Sequence, residues 1–130
     1  MDYKLLMNSA VEAKNNSYSP YSKFRVGAAL LTDTREIFTG ANIENLSYSA
    51  GICAERVAFS KAISEGHRNF AAIAIAADTD DFIYPCGICR QFMAEFVSKQ
   101  FVILCSRRNG ELKELTMEEL LPNSFENWAK

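Results

Sequence analysis

The chain has 130 residues, 48% of them hydrophobic, four cysteines and a formal net charge of −2 at pH 7. That length fits one domain with a real core. No apolar run approaches the roughly 20 residues of a membrane-spanning helix, and scattered basic residues suit phosphate neutralisation poorly, so neither a membrane nor a nucleic acid is an expected partner.

In chain order, Tyr3, Leu6, Met7, Ala10 and Val11 recur at helical spacing, which predicts an amphipathic helix from about Tyr3 to Lys14. Its start lacks the basic residues and long apolar stretch of a secretory signal, so a cytoplasmic location is expected. Tyr18-Ser-Pro-Tyr-Ser22 reads as a turn, with Pro20 restricting the residue before it. The nearly continuous apolar run from Phe24 to Thr32 predicts a strand covered on both faces. A polar turn over Thr32 to Glu36 returns Ile37 to Asn42 as its hairpin partner. Asn42 and Glu44 stand two apart, so an extended chain puts both on one face. An amide beside a carboxylate can hold a sugar hydroxyl; a solvated strand end reads the same way.

The loop from Leu46 to Gly51 leads into Cys53, which opens a helix with Ala54, Val57, Ala58 and Ala62 on its buried side and a glycine stop at Gly66. Phe70 to Ala77 is a small-residue buried strand, and a polar linker from Asp78 leads through Phe82 and Tyr84 to Pro85. Pro85 suits a strand-to-helix junction. Cys89, Phe92, Met93, Phe96 and Val97 then form an amphipathic stripe. Phe101 to Cys105 is a strand, Asn109-Gly110 a turn, and Thr116 with Glu119 a capping box opening a short helix before Phe125. Helix, hairpin, then alternating helix and strand predict an α/β domain with a mixed sheet sandwiched by helices.

Three cysteines carry the chemistry. Cys86 and Cys89 are three apart and share a helix face, and Cys53 also begins a helix. The positive ends of two helices favour thiolate over thiol. A catalytic zinc takes three protein ligands and keeps its fourth position open, which Cys53, Cys86 and Cys89 satisfy. Glu55, two residues past Cys53, is placed to move protons beside that position. A Cys-x-x-Cys pair alone also fits a redox couple or half of a structural zinc site. A closed site needs a fourth ligand, and the spare candidates are Cys105 and His67. Cys105 ends an apolar run and reads as core; His67 follows a polar turn and reads as solvated. Arg56 and Arg90 are candidates to offset the negative charge of three thiolates by hydrogen-bonding to sulfur.

Cys-x-Glu followed by Pro-Cys-x-x-Cys is the pattern of the zinc-dependent nucleoside and nucleobase deaminases. With Phe24-Arg-Val-Gly-Ala-Ala29, Gly40-Ala-Asn-Ile-Glu-Asn45, Cys53-Ala-Glu-Arg56 and Pro85-Cys-Gly-Ile-Cys-Arg-Gln91, the chain resembles the small, three-cysteine, homotetrameric cytidine deaminases from about Tyr18 to Phe125. The resemblance implies a three-layer α-β-α domain over residues 1–130 and hydrolysis of cytidine and deoxycytidine to uridine and deoxyuridine plus ammonia, in pyrimidine salvage. It implies one Zn2+ per subunit on Cys53, Cys86 and Cys89, catalysis by Glu55 and thiolate tuning by Arg56. For the substrate it implies stacking on Phe24, ribose contacts from Asn42 and Glu44, and further contacts from Ala54, Tyr48 and Phe125, the last two reaching a neighbouring subunit's site. Leu46 departs from the family, which often has a smaller residue there. The alternatives are a deaminase of a modified cytosine nucleoside or cytosine-bearing antibiotic, a polynucleotide-editing deaminase disfavoured by charge and size, and a structural zinc module that has no use for Glu55.

Overall fold

The computed structural model describes residues 2–126. Its elements run α1 (Tyr3–Ala13), β1 (Val26–Thr32), β2 (Ile37–Ala41), α2 (Ala54–Ser64), β3 (Phe70–Ala77), α3 (Gly87–Ala94), β4 (Val102–Ser106), β5 (Leu112–Thr116) and α4 (Met117–Leu120). The five strands form one sheet in the order β2-β1-β3-β4-β5. All neighbours are antiparallel except β3 and β4, which run parallel with Ile73 opposite Ile103. A parallel pair cannot be joined by a tight turn. The segment carrying α3 makes that crossover, and it brings Cys86 and Cys89 to the same side of the sheet as α2.

Alternation along the central strands sorts the core into two layers. Ala28, Leu30, Ile73, Ile75, Ile103 and Cys105 face α2, α3 and α4. Ala29, Leu31, Ala72, Ala74, Ala76 and Leu104 face α1, which contributes Leu6, Met7 and Ala10. The sheet-facing side of α1 differs from the expected one: Ala13 is buried and Val11 is exposed. On α2 the core residues are Ala54, Ala58, Phe59 and Ala62, whereas Val57 is half-buried. Phe59 is the hub that sequence spacing did not single out. It packs edge-on to Phe70 and Phe92 and also meets Phe96 and Phe101, with ring centroids 5.1–6.4 Å away.

Several boundaries differ from expectation. Phe24 leads into β1 as expected, and the strand pairs with β3 from Val26 onward. The approach to Pro85 is an extended loop held by Ile83 donating to Ser106 O, not a strand. The α3 helix ends at Ala94, and Phe96 and Val97 pack on the core from the turn beyond it. The edge strand β5 went unrecognised because its residues, Leu-Lys-Glu-Leu-Thr, are mostly polar or exposed. The capping box at Thr116 and Glu119 forms as expected.

Two features set the height of the helices on the sheet. At Gly40 in β2, an added Cβ would stand 2.5 Å from Ala54 O and 2.6 Å from Ala58 N, so only glycine lets the first turns of α2 lie this close. On the opposite face, Asp78 at the end of β3 pairs with Lys14 Nζ at 3.0 Å and Arg25 Nε at 2.7 Å. The Arg25 hydrogen bond holds the Asp78 carboxyl below its ordinary range, with Lys14 adding to it against partial burial.

Replacing Gly40 with Ala should therefore destabilise the fold by about 1–3 kcal/mol through overpacking, read as a lower urea midpoint with unchanged slope. For Asp78, a depressed folded pKa means stability that is present above the unfolded value and lost as pH falls through the folded one. Urea midpoints of wild type and Asp78→Asn should differ by a constant amount from about pH 8 to 5 and converge below about pH 4.

Candidate metal centre and active site

Cys53 and Cys86 are the N-cap residues of α2 and α3. Both take extended backbone there, so each side chain leaves its helix at the end where free N–H groups concentrate. Cys89 follows one turn into α3 and is fully buried. The Sγ atoms of Cys53 and Cys86 lie 3.7 Å apart, those of Cys86 and Cys89 3.3 Å, and all three fall within 4.8 Å of one another. No other His, Cys, Asp or Glu joins this cluster among the described residues. Cys105 is buried in β4, and burial pushes its thiol up to about 11. His67 is not the solvated loop residue its neighbours suggested: Nε2 meets Glu36 Oε2 at 2.9 Å and the ring packs on Phe38.

Glu55 is only 4% exposed, although it lies in the first turn of α2. Burial, with the negative charge of Cys53 beside it, raises its carboxyl to about 7. Cys53 is held below the ordinary thiol range by the Cys89 thiol, with Arg56 adding to the effect against burial. Cys89 moves the opposite way, because its proton bonds to Cys53 and burial disfavours a second thiolate. Arg56 Nη2 approaches Cys53 Sγ at 3.9 Å, and Arg56 Nε is buried without a hydrogen-bond partner. Arg90 does not reach sulfur. Its Nε donates to Pro85 O at 2.8 Å and its Nη1 to Leu120 O at 2.9 Å, tying the Pro85 loop and α4 to α3.

A cavity of about 570 Å3 meets this cluster at Cys53 and Arg56, and its lining includes Asn42, Glu44 and Tyr48. The backbone fixes that arrangement. Ile43 and Ile52 exchange hydrogen bonds of 2.9 Å, so residues 42–44 run beside the segment that ends at Cys53. On the other side, Tyr18 N donates to Asn42 O at 3.0 Å and Glu44 N to Tyr18 O at 2.8 Å. The Asn42 amide donates to Phe24 O at 2.8 Å and accepts from Val26 N at 2.9 Å and Ser17 Oγ at 2.5 Å. One amide N–H of Asn42 is left over from these contacts. Glu44 accepts from the Ser22 hydroxyl, Ser22 N and Tyr21 N, which hold its carboxyl below the usual range.

The remaining sequence candidates stand elsewhere. Phe24 is half-buried and is not on the cavity lining. The Ala54 methyl is in the core, so a ligand could meet only its backbone. Tyr48 is 83% exposed on a short 3-10 turn. Phe125 is 67% exposed, outside the cavity, and its backbone is clamped by the Gln91 amide at 3.0 and 3.2 Å. Sequence reasoning missed Ser17 and Ser22, which orient Asn42 and Glu44. Their position in a turn gave no signal of partners 25 and 22 residues away.

The cytidine and deoxycytidylate deaminase zinc-binding region matches residues 1–105. The chain belongs to that family. A protein named cytidine deaminase from Halalkalibacterium halodurans is 46% identical over 125 residues, covering 96% of this chain and 95% of its own. One of the same name from Sporosarcina psychrophila is also 46% identical, covering 96% and 92%. The crystal structure of cytidine deaminase from Burkholderia pseudomallei superposes with a TM-score of 0.93 at 39% identity, covering 96% of this chain and 100% of that one.

The residues present fit the family's zinc. Two sulfurs each about 2.3 Å from a tetrahedral centre stand about 3.8 Å apart, and Cys53 and Cys86 already stand 3.7 Å apart. The donor set is soft, one thiol is predisposed to ionise, and the deaminase centre has three ligands rather than four. Loss of the Arg56 contact to Cys53 leaves that sulfur's charge uncompensated. Arg56→Gln should release zinc to a chromogenic chelator about tenfold faster than wild type, while Arg90→Gln should mainly lower the melting temperature.

Proposed function

We propose that the protein is a cytidine deaminase, converting cytidine and deoxycytidine with water to uridine and deoxyuridine plus ammonia. The observation that carries this reading is a buried carboxylate, Glu55, beside three clustered thiols, one of which, Cys53, lines a nucleoside-sized cavity. Full-length relatives of the same family bear that name at 46% identity. A structural zinc module would have no use for a carboxylic acid buried without a basic partner of its own.

Zinc held by Cys53, Cys86 and Cys89 would supply the Lewis acid that makes water nucleophilic near neutral pH. Glu55 takes a proton from the attacking water and delivers it to ring N3, which leaves C4 electrophilic. The oxygen adds at C4. Glu55 carries the second proton to the exocyclic amine, which departs as ammonia as the carbonyl forms. A carboxyl raised by burial to about 7 suits this work, because it both accepts and releases a proton near the operating pH. Glu55 itself is buried, which limits exchange of the proton it carries with bulk water.

Asn42 and Glu44, both on the cavity lining, are the ribose contacts in this reading, Asn42 through its remaining amide N–H and Glu44 through the remaining acceptor capacity of Oε2. Phe24 stacks on the base and the Ala54 backbone meets it. The exposed Leu46, Tyr48 and Phe125 belong to contacts between copies: we take the chain to be one domain that forms a homotetramer, with Tyr48 and Phe125 completing neighbouring sites. No helix among the described residues is long and apolar enough to cross a membrane. A cytoplasmic role in pyrimidine salvage accords with the reaction.

Purified protein should bleach the ultraviolet absorbance of cytidine, and a zinc chelator should stop it. Glu55→Gln should keep zinc and fold but lose at least about a thousandfold in kcat, since an amide cannot carry a proton. Stoichiometric zinc with cytidine and deoxycytidine untouched would overturn the assignment in favour of a modified cytosine substrate.

A further inference from the structure

The turn between α1 and β1 contains a hydroxyl with two partners. The Ser22 hydroxyl donates to Glu44 Oε2 and accepts from Phe24 N at 3.0 Å. Glu44 Oε1 also receives Tyr21 N at 3.0 Å and Ser22 N at 3.1 Å. Between these two residues Lys23 holds a left-handed backbone, φ 61°, which a lysine rarely adopts without support. Its amide donates to Ser19 O at 3.0 Å. The turn that delivers Phe24 is thus folded around the Glu44 carboxylate, and Ser22 is the atom-by-atom link between them.

We propose that Ser22 is a positioning residue that sets the Glu44 carboxylate to receive a sugar hydroxyl. This rests on the reading of Glu44 as the sugar contact and goes beyond it. Without the hydroxyl, Oε2 loses its donor and the carboxylate can swing on its remaining backbone contacts. A substrate with a sugar hydroxyl for Glu44 to hold feels that loss. One without it does not.

The test compares cytidine with 2′,3′-dideoxycytidine on zinc-loaded wild type, Ser22→Ala and Ser22→Thr. Ser22→Ala should lose about tenfold in kcat/KM on cytidine, the worth of one charge-assisted hydrogen bond. On the dideoxynucleoside it should lose less than about twofold, and Ser22→Thr, which keeps the hydroxyl, should recover most of the loss on cytidine. Equal losses on both substrates, or none on cytidine, would overturn the proposal. A second readout needs no turnover: the Glu44 carboxyl, followed by carbon NMR, should titrate at higher pH in Ser22→Ala than in wild type, and an unmoved titration also overturns it. Wild type inert on cytidine would sink the functional reading instead, while the titration still decides whether Ser22 holds Glu44.

Discussion

Everything in this molecule depends on two helix starts meeting at one point. Cys53 and Cys86 cap α2 and α3, and their sulfurs stand 3.7 Å apart although 33 residues separate them. Such an encounter is costly for bare protein, because it concentrates thiols, a buried carboxyl and two sets of free backbone N–H groups. It persists because the sheet beneath gives neither helix an alternative. Gly40 lets α2 sink onto β2, the crossover between parallel strands returns α3 to the same face, and Phe59 fills the space between them with aromatic contacts on several sides.

Electrostatics around that point divides the labour. The same desolvation that raises Glu55 toward neutrality would also raise every thiol, and does so for Cys105 in the core. Cys53 escapes because it is only half-buried and has both a thiol and Arg56 to stabilise its charge. A carboxyl raised toward neutrality and a thiol held below its ordinary range therefore sit two residues apart on one helix turn. The two arginines that follow these motifs look equivalent in sequence, yet one serves a sulfur and the other staples backbone carbonyls.

The cavity wall is built on different terms. It consists of turns and strand ends, held by backbone bridges from Tyr18 to Ile43 and from Ile43 to Ile52 rather than by a core. Its polar side chains Asn42 and Glu44 spend most of their hydrogen bonds on nearby backbone groups and on the Ser17 and Ser22 hydroxyls, which orients the donors and acceptors that remain. That is preorganisation in the ordinary sense: the cost of ordering Asn42 and Glu44 is met when the chain folds, not when a ligand arrives.

The sequence by itself determined the α/β architecture, the central strands β1, β3 and β4, the capping box of α4 and the three-thiol set with its neighbouring carboxylate. These are local matters: apolar alternation, cap chemistry and ligand spacing are written within a few residues of where they act. Only the tertiary structure decided that β5 is a strand, since a polar edge strand is defined by its partner β4. It alone paired His67 with Glu36, turned Arg90 away from sulfur, made Phe59 the hub and tied Ser22 to Glu44. Each of those depends on which surfaces meet across the fold, and spacing along a chain carries no record of contacts made at a distance.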